Sequence, residues 1–367
     1  MNKKLRIFAL GGNEVSPTGK IDPKTGNLII PDLPEQWRRT AETCRLLADI
    51  IKEFPDDYYV LTHGNGPQVG NILLRSEYSL PILHLLPLDV CDADTQGAMG
   101  YMLAQLTNDL KILGIERIVA ETVTRVVVNE NDPEYKMPSK FIGPSYTKQD
   151  ALKRQDKLQH NMKFYKYNEH GEELWRRVVP SPKPEDILEI DIIDSNMRSG
   201  IIPIAVGGGG IPVKKVHPEI KENEEIYLCN YNIIYKRKYL QSQNPINIYT
   251  GVEAVIDKDL ATSLLGNMLI QRAQNQGEDL RAELYILTDI DGVKLNYQQH
   301  DQKDINKISL NEIKELYSKN LFPKGSMGPK IKAAINFLEG GGEKVFITKA
   351  ALLYDTLRGK VGTVIEP

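Results

Sequence analysis

Cysteine is scarce in this 367-residue chain: Cys44, Cys91 and Cys229 are odd in number and far apart. Such spacing builds neither a disulfide framework nor a paired-thiolate zinc site, and a reducing compartment is the expectation. An excess of one charge is also lacking. Against 49 acidic residues stand 46 Lys and Arg, for a net charge of -3, so no general field draws in nucleic acid or an anionic membrane. Long apolar runs are missing too: the stretch from Gly200 to Val213 is broken by prolines and glycines and falls short of a membrane span. Near the N-terminus, Arg6 interrupts the apolar stretch after Lys3 and Lys4, and Gly11-Gly12-Asn13 closes it before a signal segment can form. The expectation is a soluble, cytoplasmic chain whose partners are neither nucleic acid nor membrane.

What is present is an ordinary globular composition, 41% hydrophobic and 26% charged, enough for a large core in roughly two or three domains. Short β-branched or aromatic runs alternate with stretches of helical period, the pattern of an open, mainly parallel sheet covered on both faces. Leu5 to Leu10 reads as a strand running into Gly11-Gly12, and Tyr58 to Thr62 as a strand running into His63-Gly-Asn-Gly-Pro67. Ile201 to Val206 feeds Gly207 to Gly210, and Leu284 to Thr288 feeds Asp289-Ile-Asp-Gly292. Gln36 to Glu53 has helical spacing, and Pro67 suits the first turn of a further helix. In open α/β sheets ligands bind beyond the carboxyl ends of the strands, so these turns are predicted to line one crevice. Two stretches break the alternation. Residues 129–180, rich in Pro, Lys and Tyr, read as a small projecting subdomain; the polar segment 214–250 reads as an ordered hairpin or a lid.

The segment Gly251-Val-Glu-Ala-Val-Ile-Asp-Lys-Asp259 sets Lys258 between two carboxylates, soon after the four-glycine run. Glycines let backbone N–H groups approach an anion closely, and a lysine flanked by aspartates is a fixed point charge suited to a phosphoryl group. His63 invites a general-base reading, but a hydrogen-bonded turn histidine is the expectation.

The ordered blocks Leu10-Gly-Gly-Asn13, His63-Gly-Asn-Gly-Pro-Gln-Val-Gly70, Pro87-Leu-Asp89, Thr95-Gln-Gly97, Lys140 with Ile142-Gly-Pro144, and Trp175 to Pro184 resemble those of the carbamate kinases. Gly207 to Val213, Gly251 to Asp259, and Gly325-Ser-Met-Gly-Pro-Lys330 continue the match, so it covers most of the chain. The resemblance implies a three-layer αβα sandwich with a mainly parallel open sheet and a small protruding subdomain. It further implies a homodimer, and reversible transfer of a phosphoryl group from MgATP to carbamate, giving ADP and carbamoyl phosphate, in settings such as arginine breakdown. Under it, 1–128 with 181–250 carries the acceptor, 251–367 carries the nucleotide, and 15–35 and 214–250 are inserts.

The same resemblance implies roles for residues. Lys140, Lys258, Asp259 and Lys330 form the catalytic set, the lysines on the phosphoryl group and Asp259 orienting them. Gly11, Gly12, Asn13, Gly64, Asn65, Gly66, Gly208 and Gly209 cradle carbamate and the migrating phosphoryl. Thr288, Asp289, Val293 and Met327, with Lys258 and Lys330, hold ATP or ADP, and Mg²⁺ rides on nucleotide oxygens with no dedicated protein ligands. The chain departs from the usual pattern at Glu14 in place of alanine, Phe141 in place of proline and Ser145 in place of an aromatic. Glu14 is predicted either to repel an anionic acceptor or to bind a cationic group.

Overall fold

Every residue from Leu5 to Leu10 is buried, because both faces of the central strand are covered by helices. The computed structural model describes residues 3–15, 20–21, 28–29, 32–216, 225–230, 233–238, 247–297, 299–323 and 325–367. Its main sheet has eight strands in the order Lys307–Ser309, Thr363–Glu366, Lys344–Thr348, Ala282–Leu287, Leu5–Leu10, Tyr58–His63, Ile202–Ile204 and Val119–Glu121. The pairs are parallel except that between Lys344–Thr348 and Thr363–Glu366.

Alternation along the Leu5–Leu10 strand splits the core into two layers. Leu5, Ile7 and Ala9 pack with Leu265, Leu269 and Phe337, from the helices Lys258–Asn275 and Met327–Glu339. Phe8 and Leu10 pack with Cys44, Leu47 and Ile51, from the helix Leu33–Glu53. The latter helix starts where Asp32 accepts a hydrogen bond from the Glu35 N–H at 2.9 Å. Full burial of side chains of this kind contributes about 1.5–3 kcal/mol each, so the three layers are held chiefly by apolar area.

A second, four-stranded sheet joins Pro184–Ile187, Arg125–Val128, Ile211–Val216 and Ile248–Gly251. It brings the end of the polar insert back beside its start, with Val213 opposite Gly251. Within that insert, Glu225–Asn230 pairs antiparallel with Ile233–Lys238, a hairpin as one of the two readings of the segment had it. Of the other insert, only the paired backbones Lys20–Ile21 and Leu28–Ile29 are among the described residues. The projecting stretch forms a three-stranded antiparallel sheet, Lys140–Thr147, Glu173–Val179 and Met162–Tyr167, with the helix Lys148–Leu158. It meets the main body where Gly70, in the helix Gly66–Ser79, lies so close to Gly143 that a Cβ on Gly70 would sit 2.5 Å from the Gly143 Cα.

On the edge strand, both carboxylate oxygens of Glu121 are buried with no hydrogen-bond partner among the described residues, against Gly100. Burial pushes its pKa up to about 8. Between the ordinary carboxylate range and pH 8 the unfolded chain releases this proton while the folded chain keeps it, so stability falls as pH rises through that window. Glu121→Gln is therefore expected to raise stability at pH 8 by about 1–3 kcal/mol and to change it little at pH 4.5. Urea unfolding at the two pH values measures this, and an equal effect at both would contradict it.

Candidate active site

The three strands at the centre of the sheet end level with one another: Leu10 lies opposite both His63 and Leu287. Their turns interlock. The Gly11 N–H donates to the Leu287 carbonyl at 2.9 Å, and the Gly64 N–H to the Leu10 carbonyl at 3.0 Å. A Cβ on Gly11 would lie 2.9 Å from the Leu287 oxygen, so the close approach requires glycine. Gly12 and Asn13 lie in the short helical turn Gly12–Val15, while Asn65 caps the helix that begins at Gly66, with Pro67 in its first turn. The four-glycine run passes beside these turns with Gly208 and Gly209 at φ +68° and +105°. A Cβ on Gly209 would sit 2.5 Å from the Ile256 carbonyl oxygen.

That carbonyl belongs to the segment carrying the charge cluster. Asp257 caps the helix Lys258–Asn275, accepting from the N–H groups of Asp259 at 3.0 Å and Leu260 at 3.3 Å. Lys258 is thereby placed at the first helical position, with its ammonium 2.7 Å from Asp259 Oδ1 and 3.2 Å from the Ala9 carbonyl. The pairing with Oδ1 is close in distance but lacks hydrogen-bond alignment. Lys330, in the first turns of the helix Met327–Glu339, reaches the other oxygen, Oδ2, at 2.8 Å. Lys140 crosses from the projecting sheet to donate to the Ile256 carbonyl at 2.7 Å, with Asp257 Oδ2 at 4.0 Å. Two lysines remote in sequence, Lys140 and Lys330, thus converge on residues 256–259, which carry the third, Lys258.

Burial lowers the pKa of Lys258, helped by the charge of Lys330 and opposed by Asp259. For Asp259, burial alone would raise the pKa; the two lysines reverse that and hold it well below the usual carboxylate range. Burial would likewise lower Lys330, but the charge and hydrogen bond of Asp259 outweigh it and raise its pKa. One carboxylate between the buried Lys258 and the partly buried Lys330 leaves this trio with a net positive charge, which suits an anion.

Thr288 lies just past the Ala282–Leu287 strand, with its hydroxyl 3.1 Å from Asp289 Oδ1. Val293 is fully buried in the core, and its N–H donates to Thr363 Oγ1 at 2.7 Å. Met327 is the first residue of its helix and is buried. A cavity of about 730 Å³ adjoins the cluster, lined among others by Lys140, Asp257, Leu260, Gly325, Pro329 and Lys332. Its volume lies within the range of small-molecule sites.

Two further residues have defined surroundings. His63 is the last residue of the Tyr58–His63 strand, directly before the Gly64 turn, wholly buried and in contact with the Gly64 backbone. Burial, with Lys258 nearby, takes its pKa down to about 4, so the ring is neutral at pH 7. Of the two readings of Glu14, the pairing with a cationic group is the one seen, and the cation is the chain's own Arg39 of the Leu33–Glu53 helix, 3.3 Å from Oε2. Burial raises the Glu14 pKa and Arg39 partly offsets this.

The block Thr95-Gln-Gly97, to which no role was assigned from sequence, supports the site together with Asp92. On the buried helix Leu88–Leu103, Asp92 Oδ1 accepts from Asn65 Nδ2 at 3.0 Å, and Thr95 Oγ1 accepts from the same nitrogen at 2.7 Å. The Gln96 amide donates to the Gly207 carbonyl at 3.0 Å and accepts from the Thr124 N–H at 2.8 Å. These side chains hold two glycine turns in place. Their signal was the i, i+3, i+4 spacing of Asp92, Thr95 and Gln96, a polar stripe in a helix too apolar to leave it in solvent.

Glycine turns at the carboxyl ends of a mainly parallel sheet, closed over by a buried lysine–aspartate–lysine cluster, define an anion-binding αβα protein. In agreement, residues 276–349 match the model of the amino acid kinase family. The chain is 37% identical to a carbamate kinase of Thermococcus kodakarensis across 98% of both proteins, and 37% identical to one of Thermoplasma volcanium across 98% of this chain and 99% of that one. Among solved structures, the carbamate kinase of Giardia lamblia bound to AMP-PNP superposes with a TM-score of 0.74 at 32% identity, covering 99% of this chain and 98% of that one. The chain belongs to the carbamate kinase family.

Proposed function

We propose that the protein transfers a phosphoryl group reversibly between MgATP and carbamate, giving ADP and carbamoyl phosphate. The observation that carries this is the convergence of Lys140 and Lys330 on the Ile256–Asp259 segment, which carries Lys258, beside the glycine turns. Carbamate is already an anionic nucleophile, so little acid or base work is needed; in-line transfer calls for positive charge on the oxygens that gain negative charge. Lys258, at a helix start, faces the transferred group, Lys330 the nucleotide phosphates, and Lys140 the acceptor side. Asp259 sets the spacing of Lys258 and Lys330. The N–H groups of Gly11, Gly12, Gly64, Gly66, Gly208 and Gly209, with Asn13 and Asn65, form the acceptor cradle.

In this reading 1–128 with 181–250 carries the acceptor and 251–367 the nucleotide, near Thr288, Asp289 and Met327. Val293 supports that side from within the core. Among the described residues no group of three or more His, Cys, Asp or Glu is arranged to hold a metal. In this reading Mg²⁺ is carried on nucleotide oxygens and water, where it would neutralise phosphate charge. A homodimer working in the cytoplasm on carbamoyl phosphate from arginine breakdown completes the reading. Among the described residues no helix is long and apolar enough to cross a membrane.

The test is to incubate the protein with MgADP and carbamoyl phosphate and follow ATP by a coupled reaction. ATP formation well above a no-enzyme control is expected. Its absence, with nucleotide still bound, would overturn the reading in favour of a binding protein.

A further inference from the structure

Asn65 lies between two of the glycine turns and is 2% exposed. Which end of its amide faces the acceptor is decided by its neighbours. The Thr95 hydroxyl donates its one proton to the Asp92 carbonyl at 2.7 Å, so it can only accept from Asn65, at 2.7 Å. Asp92 Oδ1 accepts at 3.0 Å from the same amide nitrogen. Both amide protons are thereby engaged, and among the described residues nothing donates to Asn65 Oδ1. The amide lies on Gly208, where a Cβ would come within 2.1 Å of Nδ2 and 2.7 Å of Oδ1, so any side chain at 208 would displace it.

The backbone and the lysines of the cradle offer N–H groups and ammonium groups, which are donors suited to carboxylate and phosphate oxygens. A planar carbamoyl group carries one substituent of opposite demand, its NH₂. We infer that Asn65 reads the amino group of the acceptor through its side-chain carbonyl, with Thr95 and Asp92 as positioning residues that fix the amide orientation. The inference rests on the carbamate reading and adds the basis of acceptor choice. An acceptor bearing methyl instead of NH₂ leaves a buried carbonyl unpaired, the kind of mismatch that discriminates more strongly than a missing methylene.

The test compares kcat/KM for ATP formation from MgADP with carbamoyl phosphate and with acetyl phosphate. It uses wild type, Asn65→Leu and Thr95→Val, with ADP affinity by calorimetry to verify folding. Wild type is expected to prefer carbamoyl phosphate by at least about 100-fold. Asn65→Leu is expected to lose most of that preference by losing the carbamoyl reaction, and Thr95→Val to lose part of it, with KM for ADP unchanged. Should Asn65→Leu not fold, Thr95→Val decides. Equal use of both donors by wild type overturns the inference while phosphoryl transfer stands, and so does a proportional loss of both donors in the variants. No ATP from either donor overturns the carbamate reading and the inference together.

Discussion

Lys258→Met is expected to lower kcat for ATP formation by about 10³-fold or more, the size found when a fixed charge or donor at a transferring group is removed. The ammonium it removes is buried at a helix start, held by Asp259 at 2.7 Å and by the Ala9 carbonyl at 3.2 Å. In such a water-excluded place the charge needs no reorganisation as the transition state forms, which is why its loss falls on kcat. Methionine keeps the length and apolar stem, so the fold and the ADP affinity are expected to change little. Lys258→Arg is not expected to rescue, since the planar fork cannot occupy the position of a compact ammonium against Ala9. Steady-state kinetics with MgADP and carbamoyl phosphate, beside ADP calorimetry, decide the matter. A kcat within tenfold of wild type would remove Lys258 from the catalytic set.

Asp259→Ala is expected to strike stability and turnover together. It leaves the Lys258 and Lys330 ammonium groups buried without their shared partner, and breaking a buried ion cluster from one side destabilises by about 3–5 kcal/mol. For a chain of this size that is a fall in Tm of about 4–7 °C. The pH dependence has a definite sign. Because the folded state holds Asp259 below its ordinary value of 3.8, its contribution is fully present above that pH and is lost as pH falls through the folded-state value. The gap between wild type and variant should therefore be constant near neutrality and narrow in acid. A triple variant, Asp259→Leu with Lys258→Met and Lys330→Met, separates the two effects: apolar replacement of the whole cluster is expected to restore Tm close to wild type while turnover stays absent. Thermal unfolding and the ATP assay on both variants test this, and a triple variant as unstable as Asp259→Ala would show that charge imbalance is not the cause.

The alternation of strands and helices, the glycine turns at strand ends, and the helix start at Asp257 were legible because each depends on residues close in the chain. Leu5–Leu10 and Tyr58–His63 end within a residue of their expected limits, and the Leu33–Glu53 helix begins only a turn earlier than its periodicity indicates. The four-stranded sheet was not legible. Its strands come from residues 125–128, 184–187, 211–216 and 248–251, and pairing across such separations leaves little mark on any one segment. The surroundings of His63 were legible only in part: its contact with the Gly64 backbone is local, whereas its closeness to Gly207 and Lys258 is set by the packing of distant segments.

Local order determined that Lys258 sits beside Asp259 at a helix start, that glycines follow the strands, and that the chemistry concerns an anion. Only the tertiary structure decided that Lys330, 71 residues away, takes the other oxygen of Asp259, and that Lys140 reaches the Ile256 carbonyl across 116 residues. It also decided that Thr95 and Asp92 set the orientation of Asn65. The physical reason is common to all three. Backbone preference and hydrophobic period are properties of short segments, whereas the partner of a buried polar atom is whatever the packed layers bring within hydrogen-bond distance.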